Sequence, residues 1–147
     1  MDAQHTQNQI ERFEGRRNVA YADPLTKSAP WTIGVGHIGP EVHEGLVWGD
    51  SLVQSTFDAD FLHAWTLVQA KLPWAIALSD PRQAVLVNMC FQMGIWGLLA
   101  FKHALASAQT GDFQMAHDQM LDSEWARQTP GRAVTLATQM LTGVWQS

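Results

Sequence analysis

The chain has 147 residues, of which 46% are hydrophobic and 16% charged, and its formal net charge is −5. Seven tryptophans and six phenylalanines exclude a disordered chain, and the acidic balance excludes the basic surface of a typical nucleic-acid-binding protein. No apolar run approaches the ~18 residues of a membrane span, so we expect no stable membrane insertion. The single cysteine, Cys90, excludes an internal disulfide. The first residues lack the basic and apolar segments of a secretory signal, so we expect one domain, 1–147, without signal peptide or anchor.

The first predicted elements are a short helix and a loop-rich β region. Thr6 and Gln9 have the spacing of a capping box, and Gly15 stands where a helix commonly ends. Residues 16–49 are rich in Gly and Pro and have no helical period. This segment therefore predicts a small β lobe, with a hairpin or three short strands.

A long connecting helix is predicted over residues 50–72. Ser51 and Gln54 repeat the capping-box spacing, and Pro73 ends the pattern. Between them, apolar side chains recur at steps of four and three residues, as they do on one face of a helix: Val53, Phe57, Phe61, Trp65 and Val68.

Residues 73–147, together with residues 1–15, predict a helical lobe. Asp80-Pro81 places proline at the first position of a helix, and from Ala84 to Met93 that helix is apolar nearly all round. It is the predicted buried centre of the domain. Shorter amphipathic helices are predicted near 96–109, 112–122 and 130–142. The fold class is therefore α+β and predominantly α.

Two acids each allow two interpretations. By spacing alone, Glu14 at the end of the first helix is a solvated acid paired with Arg16 or Arg17, whereas a desolvated carboxyl there could act as a general acid. Asp23 precedes Pro24, which favours a turn residue. Two carboxyls on either side of a helix–strand junction are also what a glycosidase needs, one to protonate the leaving oxygen and one to activate water or attack the sugar.

Residues 31–37 alternate strictly between large and small side chains, which predicts one strand. Its bulky side chains would face one way, and Thr32 with two glycines, Gly34 and Gly36, would face the other. Glycine weakens a strand interior, so this bare face predicts that another group approaches it closely. A ligand could lie there, with Thr32 as its only hydroxyl contact.

The predicted central helix carries two amides, Asn88 and Gln92, four residues apart on one face. They either satisfy buried backbone groups or face a cleft and bind an amide-bearing ligand. His37 and His43 lack the spacing of metal ligands, so we expect neither a metal site nor a cofactor.

A series of motifs resembles the phage-type lysozymes, glycoside hydrolase family 24. They lie between roughly residues 10 and 145, and each would be weak by itself. Their shared order makes the resemblance specific. The motifs are Phe13-Glu14-Gly15-Arg16, Ala20-Tyr21-Ala22-Asp23, the strand motif at 31–37, the central-helix motif at 88–94, the tryptophan and Gln-Thr-Pro segment at 125–133, and Gly143-Val144-Trp145.

The resemblance implies a lysozyme-like fold, in which a small β-containing N-terminal lobe (16–49) and a helical lobe (1–15 and 73–147) are joined by the long helix, with a cleft between. It implies an endolysin, a muramidase that cleaves the β-1,4 bond between N-acetylmuramic acid and N-acetylglucosamine in peptidoglycan and so lyses the host cell. Its partner would be the peptidoglycan glycan strand. The alternative is a non-catalytic module that binds cell-wall glycan or a protein partner on the same fold.

The resemblance also assigns catalytic roles. Glu14 would be the general acid, and Asp23 would be the base that deprotonates a water held by Thr32. A mechanism that uses water needs roughly 6.5–9.5 Å between the two carboxyls, and nothing in the connection forces Glu14 and Asp23 closer. We therefore expect inversion at the anomeric carbon.

Other residues would support or line the site. By the same resemblance, Arg132 would pair with Glu14, and His37 would pair with Asp60 inside the small lobe. The positions that resemble the family's sugar-contacting residues are Ile38, Phe91, Gln92 and Gln119.

The chain departs from that family in a longer segment between Asp23 and Thr32, a shorter segment from His37 to Gly49, and an acidic charge. Peptidoglycan is itself anionic, so binding would rest on the cleft rather than on long-range attraction. We expect a monomer made in the host cytoplasm that acts on the wall in the periplasm, and that needs a holin or a similar membrane lesion to reach it.

Overall fold

The computed structural model describes all 147 residues and has an α+β fold that is mostly helical, as the sequence predicts. The first elements are α1 (Ala3–Glu14), β1 (Arg17–Tyr21), β2 (Thr32–Gly34), β3 (His37–Ile38) and α2 (Asp50–Lys71). A 3-10 turn (Pro73–Ala77) then leads into α3 (Asp80–Leu99), α4 (Lys102–Thr110), α5 (Phe113–Leu121), α6 (Glu124–Gln128) and α7 (Pro130–Thr142).

The chain forms two compact units. The β unit comprises residues 7–63, with the sheet, most of α1 and the first part of α2. The helical unit comprises residues 1–6 and 64–147, with every helix from α3 onward. Helices α1 and α2 therefore each contribute residues to both units.

In the β unit, the three strands form one antiparallel sheet in the order β1-β2-β3. This confirms the predicted β region with three short strands. Burial of apolar side chains is the main stabilisation of such a small sheet. The cluster that provides it consists of Ala20, Ile33 and Val42, with Trp31, Leu46 and Trp48 packed against it.

The prediction of one strand over residues 31–37 is wrong. Strand β2 ends at Gly34, and the chain turns back into β3, so that Ile33 lies opposite His37. The turn needs glycine, because Gly34 and Gly36 have φ values of +65° and +67°, where a residue with a Cβ is strained. The alternating pattern does not reveal this turn, since both arms of a short hairpin alternate.

Both predicted capping boxes are also wrong. Asp2 precedes α1, and its Oδ1 accepts a hydrogen bond from the His5 N–H at 3.0 Å. Thr6 is buried inside the helix, and its hydroxyl donates to the Asp2 carbonyl at 2.6 Å. Helix α2 begins at Asp50, so Ser51 lies within the helix and does not cap it.

The helical unit is built around α3. As predicted, proline stands in its first turn, and the segment from Gln83 to Cys90 is buried. Gly94 interrupts the helix with φ +78° and ψ 167°, and a second helical segment continues to Leu99. Helix α7 packs against α3 and α5, and α4 packs against α5. No single helix has the length and apolar content to cross a membrane; α3 and α4 would do so only as a pair bent by 103°, judged on length and composition alone.

The first and last residues of the chain meet in the helical unit. The His5 ring stacks on the Trp145 ring with centroids 3.7 Å apart. The amino terminus of Met1 lies 3.6 Å from Asp80 Oδ1 at the start of α3. These contacts attach the N-terminal segment to the C-terminal segment and to the central helix.

Candidate active site

Glu14 ends α1 directly beside the turn between β2 and β3. Gly15 follows with φ +77°, and its N–H donates to the Glu11 carbonyl at 2.8 Å, which closes the helix. A Cβ on Gly36 would lie 2.8 Å from Glu14 Oε1 and 3.0 Å from Glu14 Cδ. The half-buried carboxyl therefore packs against the backbone of this glycine. A close approach to this face is predicted, and the structure shows that at Gly36 the Glu14 side chain makes it.

The basic residues after Glu14 engage other groups. Arg16 Nη2 donates to Glu11 Oε1 at 2.8 Å and to Gln54 Oε1 at 2.6 Å. The Arg17 guanidinium lies 4.9 Å from the centre of the Tyr21 ring, in a cation–π contact. The structure thus pairs Arg16 with another acid of α1, and Arg17 with an aromatic ring.

Three side chains, Tyr21, Thr32 and Ile38, form a row across the sheet. Thr32 lies opposite Tyr21 of β1 and opposite Ile38 of β3, and directly opposed residues of antiparallel strands share a face. Thr32 is close enough to the Tyr21 hydroxyl to lower the pKa of that phenol. Ile38 is 56% exposed at the other end of the row. The structure thus brings together two predicted site residues, Thr32 and Ile38, with a tyrosine that the sequence prediction omitted.

The environment of Tyr21 keeps its hydroxyl protonated. Burial raises the pKa of Tyr21, and the negative charge of Glu14 raises it further, whereas Arg17 and Thr32 have smaller effects in the opposite direction. The phenol is therefore a hydrogen-bond donor throughout the neutral range. The acid at the end of α1 and the row across the sheet are thus electrostatically coupled.

Asp23 begins the loop between β1 and β2. Its Oδ1 accepts a hydrogen bond from the Leu25 N–H at 2.8 Å, which is an Asx turn, and its carbonyl accepts from the Lys27 N–H at 2.7 Å. The Asp23 N–H donates to the Ser28 carbonyl at 3.0 Å. These bonds hold Asp23 in place without using Oδ2. The turn interpretation therefore describes what Oδ1 does, and a second oxygen remains for proton transfer.

His37 lies between two carboxylates. Its Nδ1 is 2.6 Å from Asp60 Oδ2 on α2, and its Nε2 is 2.6 Å from Glu41 Oε1. Ionised carboxylates only accept hydrogen bonds, so this geometry favours the imidazolium form, in which both ring nitrogens donate. Partial burial would lower the pKa of His37, but the hydrogen bonds with Glu41 and Asp60 outweigh it and raise the pKa above its ordinary value of 6.5.

In the helical unit, the two amides of α3 bind side chains from the C-terminal motif. Asn88 is fully buried, and its Oδ1 accepts hydrogen bonds from Arg132 Nε at 3.2 Å and Nη2 at 2.7 Å. Gln92 Oε1 accepts a hydrogen bond from the Trp125 indole N–H at 2.8 Å. Both amides thus position large side chains. The expected pair of Arg132 with Glu14 joins residues of different units and stays a prediction.

A pocket of about 340 Å³ lies in the helical unit. Gln119 of α5 lines it, together with the start of α4 and the segment that leads into α6. Phe101 and Trp125 form an apolar wall, and their rings meet edge to face with centroids 5.8 Å apart. Phe91 on α3 is half-buried. The sugar-contacting roles of Phe91 and Gln119 stay predictions.

Sequence reasoning missed two residues that contact predicted site residues: Tyr21, which pairs with Thr32, and Glu41, which contacts His37. Tyr21 lies within a quoted motif, but its pairing with Thr32 depends on strand register, which no local pattern shows. Glu41 stands four residues after His37, a spacing that brings side chains together on a helix, whereas here a turn does so. No group of three or more His, Cys, Asp or Glu side chains converges in the arrangement of a metal site.

A comparison with known protein families gives a match that includes nearly all of the site residues described above. The family model for phage lysozyme matches residues 11–139. The chain belongs to the phage lysozyme family. This confirms the resemblance seen in the ordered motifs.

Two relatives match parts of the chain. Over 71 residues, 48% of this chain, it is 39% identical to the pre-baseplate central spike protein Gp5 of Enterobacteria phage T4. Over 66 residues, 45% of this chain, it is 33% identical to the probable T4-type lysozyme 1 of Dictyostelium discoideum. The matched segments make up 12% and 39% of those two proteins, so this chain spans well under two thirds of either relative.

Proposed function

We propose that the protein is a lysozyme-like peptidoglycan hydrolase that cleaves the β-1,4 bond between N-acetylmuramic acid and N-acetylglucosamine. The observation that carries this proposal is the placement of Glu14, a half-buried carboxyl packed on Gly36 whose negative charge acts on the Tyr21 hydroxyl. Membership of the phage lysozyme family supports the same class of hydrolase.

In the proposed reaction, Glu14 is the general acid and protonates the glycosidic oxygen as it leaves. Asp23 is the base and removes a proton from the attacking water, while Thr32 holds that water by a hydrogen bond. The Asx turn fixes Asp23 through Oδ1, so Oδ2 is the oxygen that receives the proton. Because water attacks from the face opposite the leaving group, the product has inverted configuration.

The remaining predicted residues have supporting roles in this proposal. Ile38 offers an exposed apolar contact to the sugar beside Thr32. His37, held by Asp60, attaches β3 to α2 and so keeps the β2–β3 turn in place under Glu14. Arg132 pairs with Glu14, and the sugar contacts of the helical unit are Phe91, Gln92 and Gln119.

The test is digestion of purified sacculi, with mass spectrometry of the released muropeptides to identify the bond that is cut. Wild-type protein should release products with a reducing N-acetylmuramic acid. Glu14→Gln should lower the rate by at least ~10²-fold, the usual loss when a general acid is removed, with an unchanged thermal unfolding midpoint. The matched control is Glu11→Gln, one turn earlier on α1, whose carboxylate binds Arg16.

Three outcomes would contradict the proposal. A folded Glu14→Gln protein with wild-type activity would show that Glu14 is not the general acid. Sacculus binding without release of muropeptides would instead support the non-catalytic module. Proton NMR should show the α-anomer as first product; the β-anomer, or a covalent sugar adduct on Asp23, would establish retention and overturn the role of the water.

A further inference from the structure

We propose that Glu41 is a positioning residue, which binds His37 across the turn after β3 and so holds Ile38 in place for the sugar only while His37 is protonated. This role rests on the proposed function, in which Ile38 is a sugar contact. It adds a residue to which neither the motifs nor the family match assigns a role, and it predicts that substrate affinity weakens on the alkaline side.

The Glu41–His37 pair joins the two ends of the segment 37–41. Strand β3 consists of His37 and Ile38 alone and lies at the edge of the sheet. Glu41 Oε1 is 2.6 Å from His37 Nε2, and Asp60 Oδ2 on α2 is 2.6 Å from His37 Nδ1. The exposed Ile38 therefore lies in a short loop that one ion pair closes and another attaches to a helix.

The carboxylate of Glu41 also packs on the backbone of its own turn. The Val42 N–H donates to the Gly39 carbonyl at 3.1 Å, and Val42 is buried in the apolar cluster of the β unit. A Cβ on Gly39 would lie 2.5 Å from Glu41 Oε2 and 2.7 Å from Oε1. Gly39 has no positive φ, so a side chain there would conflict with the carboxylate and not with the backbone conformation.

The charged groups that bind His37 are two carboxylates. Asp60 faces the ring from α2, and Glu41 faces it from the turn. On other sides the Trp48 ring lies 5.4 Å from the imidazole, and Glu14 of α1 packs on the residue that precedes His37. The surroundings of the ring therefore favour its positive charge.

Loss of this proton would release Glu41 rather than Asp60. A neutral imidazole has one N–H, and its other nitrogen is an acceptor, so the ring can donate to one carboxylate only. Asp60 belongs to a helix and its side chain is 32% exposed, whereas Glu41 lies on a turn with its side chain 54% exposed. Glu41 is therefore the group that returns to water.

The pH range of the pair follows from the two partners. Partial burial lowers the pKa of His37, but the hydrogen bonds with Glu41 and Asp60 outweigh it, so the pKa lies above 6.5. The hydrogen bond with His37 is the main cause of the lowered pKa of Glu41. The contact is therefore fully formed at weakly acidic pH and is lost as pH rises through the folded-state pKa of His37.

The first experiment tests the pair without substrate. Labelling with carbon-13 at histidine Cε1 gives one NMR titration curve for each of the six histidines, and His37→Gln identifies the curve of His37. Glu41→Gln should lower the pKa of His37, because an ionised partner becomes neutral. The matched control, Glu44→Gln, removes a negative charge nearby in the same segment and should leave that pKa nearly unchanged. Equal pKa values of His37 in wild type and Glu41→Gln would overturn the contact.

The second experiment measures kcat and KM on soluble, uncrosslinked glycan strands, well below the unfolding midpoint of each variant. At about pH 6, Glu41→Gln should raise KM about threefold with kcat changed less than twofold, the scale of one exposed ion pair. The ratio of variant to wild-type KM should approach one as pH passes the measured pKa of His37, because wild type then loses the same contact. Glu44→Gln should keep the wild-type KM, which controls for the effect of charge on binding an anionic polymer.

A second variant displaces the carboxylate without removing its charge. The Cβ of Gly39→Ala would occupy the space of the Glu41 carboxylate, which can swing away at the end of its flexible side chain. Gly39→Ala should therefore repeat the KM change of Glu41→Gln, and the double variant should show no further change. A wild-type KM in Gly39→Ala at about pH 6 would contradict the positioning role.

The outcomes separate this role from the function on which it rests. A KM change in Glu41→Gln that is the same at every pH, or that Glu44→Gln shares, would overturn the role of Glu41 and leave the hydrolase assignment intact. A wild-type protein that releases no muropeptides would overturn the hydrolase assignment, and the positioning role with it.

Discussion

Substituting Gly36 by alanine should separate the position of Glu14 from the stability of the β unit. The added Cβ would lie 2.8 Å from Glu14 Oε1, and an ordinary contact needs at least 3.4 Å, so the carboxyl has to move. The contact is with the end of a flexible side chain, which can shift at little cost in packing. The acid would nevertheless leave the place where it meets the leaving oxygen, and displacements of this order cost about 10²-fold in rate.

The backbone contributes a second, separable effect. Gly36 has φ +67°, where a residue with a Cβ costs about 1–2 kcal/mol. Gly45, also in the β unit, has φ +87°, and a methyl group added there would have no neighbouring atom within 4 Å, so Gly45→Ala carries the strain without the contact. Both variants should therefore lose about 1–2 kcal/mol in free energy of unfolding, and only Gly36→Ala should also lose activity.

The assay combines urea unfolding, followed by tryptophan fluorescence, with initial rates of muropeptide release well below the unfolding midpoint. Gly36→Ala should fall about 10²-fold in kcat, and Gly45→Ala should stay within twofold of wild type. Equal activities in the two variants would refute the reasoning, because they would show that the contact between Gly36 and Glu14 does not position the acid.

Two further predictions concern stability. The His37 pKa is raised, so its bonds to Asp60 and Glu41 stabilise the fold fully below pH 6.5 and lose effect as pH rises through the higher folded-state pKa. Asp60→Asn should therefore lower the free energy of unfolding by about 1 kcal/mol at pH 6 and by less at pH 9. The control is Asp58→Asn, which should show no such difference because the Asp58 carboxylate accepts hydrogen bonds from amide groups. A loss in Asp60→Asn that does not depend on pH would contradict this. Asn88→Leu removes the buried acceptor of two hydrogen bonds from Arg132 and should lower the free energy of unfolding by about 2–3 kcal/mol. In an Arg132→Met background the same change should cost far less. Equal losses in both backgrounds would show that Asn88 and Arg132 are not energetically coupled.

The sequence predicts the fold well where the signal is local and repeated. The apolar segment of α3 and the proline in its first turn identify the buried centre, because a helix exposed on one side would need polar residues there. The capping boxes fail because Thr6 has a second use for its hydroxyl, a bond to the carbonyl four residues earlier inside a helix. Helix α6 is missed because five residues carry too little periodicity.

In the candidate site, too, local sequence patterns place some residues and not others. Glu14 at a helix end and Asp23 in a turn can be placed from local patterns alone. The pairing of Thr32 with Tyr21 and Ile38 cannot, since it depends on the turn at Gly34 and Gly36 that brings two strands into register. Contacts that join residues distant in sequence are set by tertiary packing, and motif spacing does not encode them.

The division of the chain has a consequence for the order in which the molecule assembles. The β unit is continuous in sequence, so all of its contacts can form once residue 63 has emerged from the ribosome. The helical unit is not continuous: residues 1–6 precede the β unit, yet their partners include Asp80 and Trp145. Closing contacts over such long separations is slow, because the chain entropy is lost before the contact forms. Residues 1–6 precede the whole β unit in the chain and are nevertheless among the last to reach their final packing.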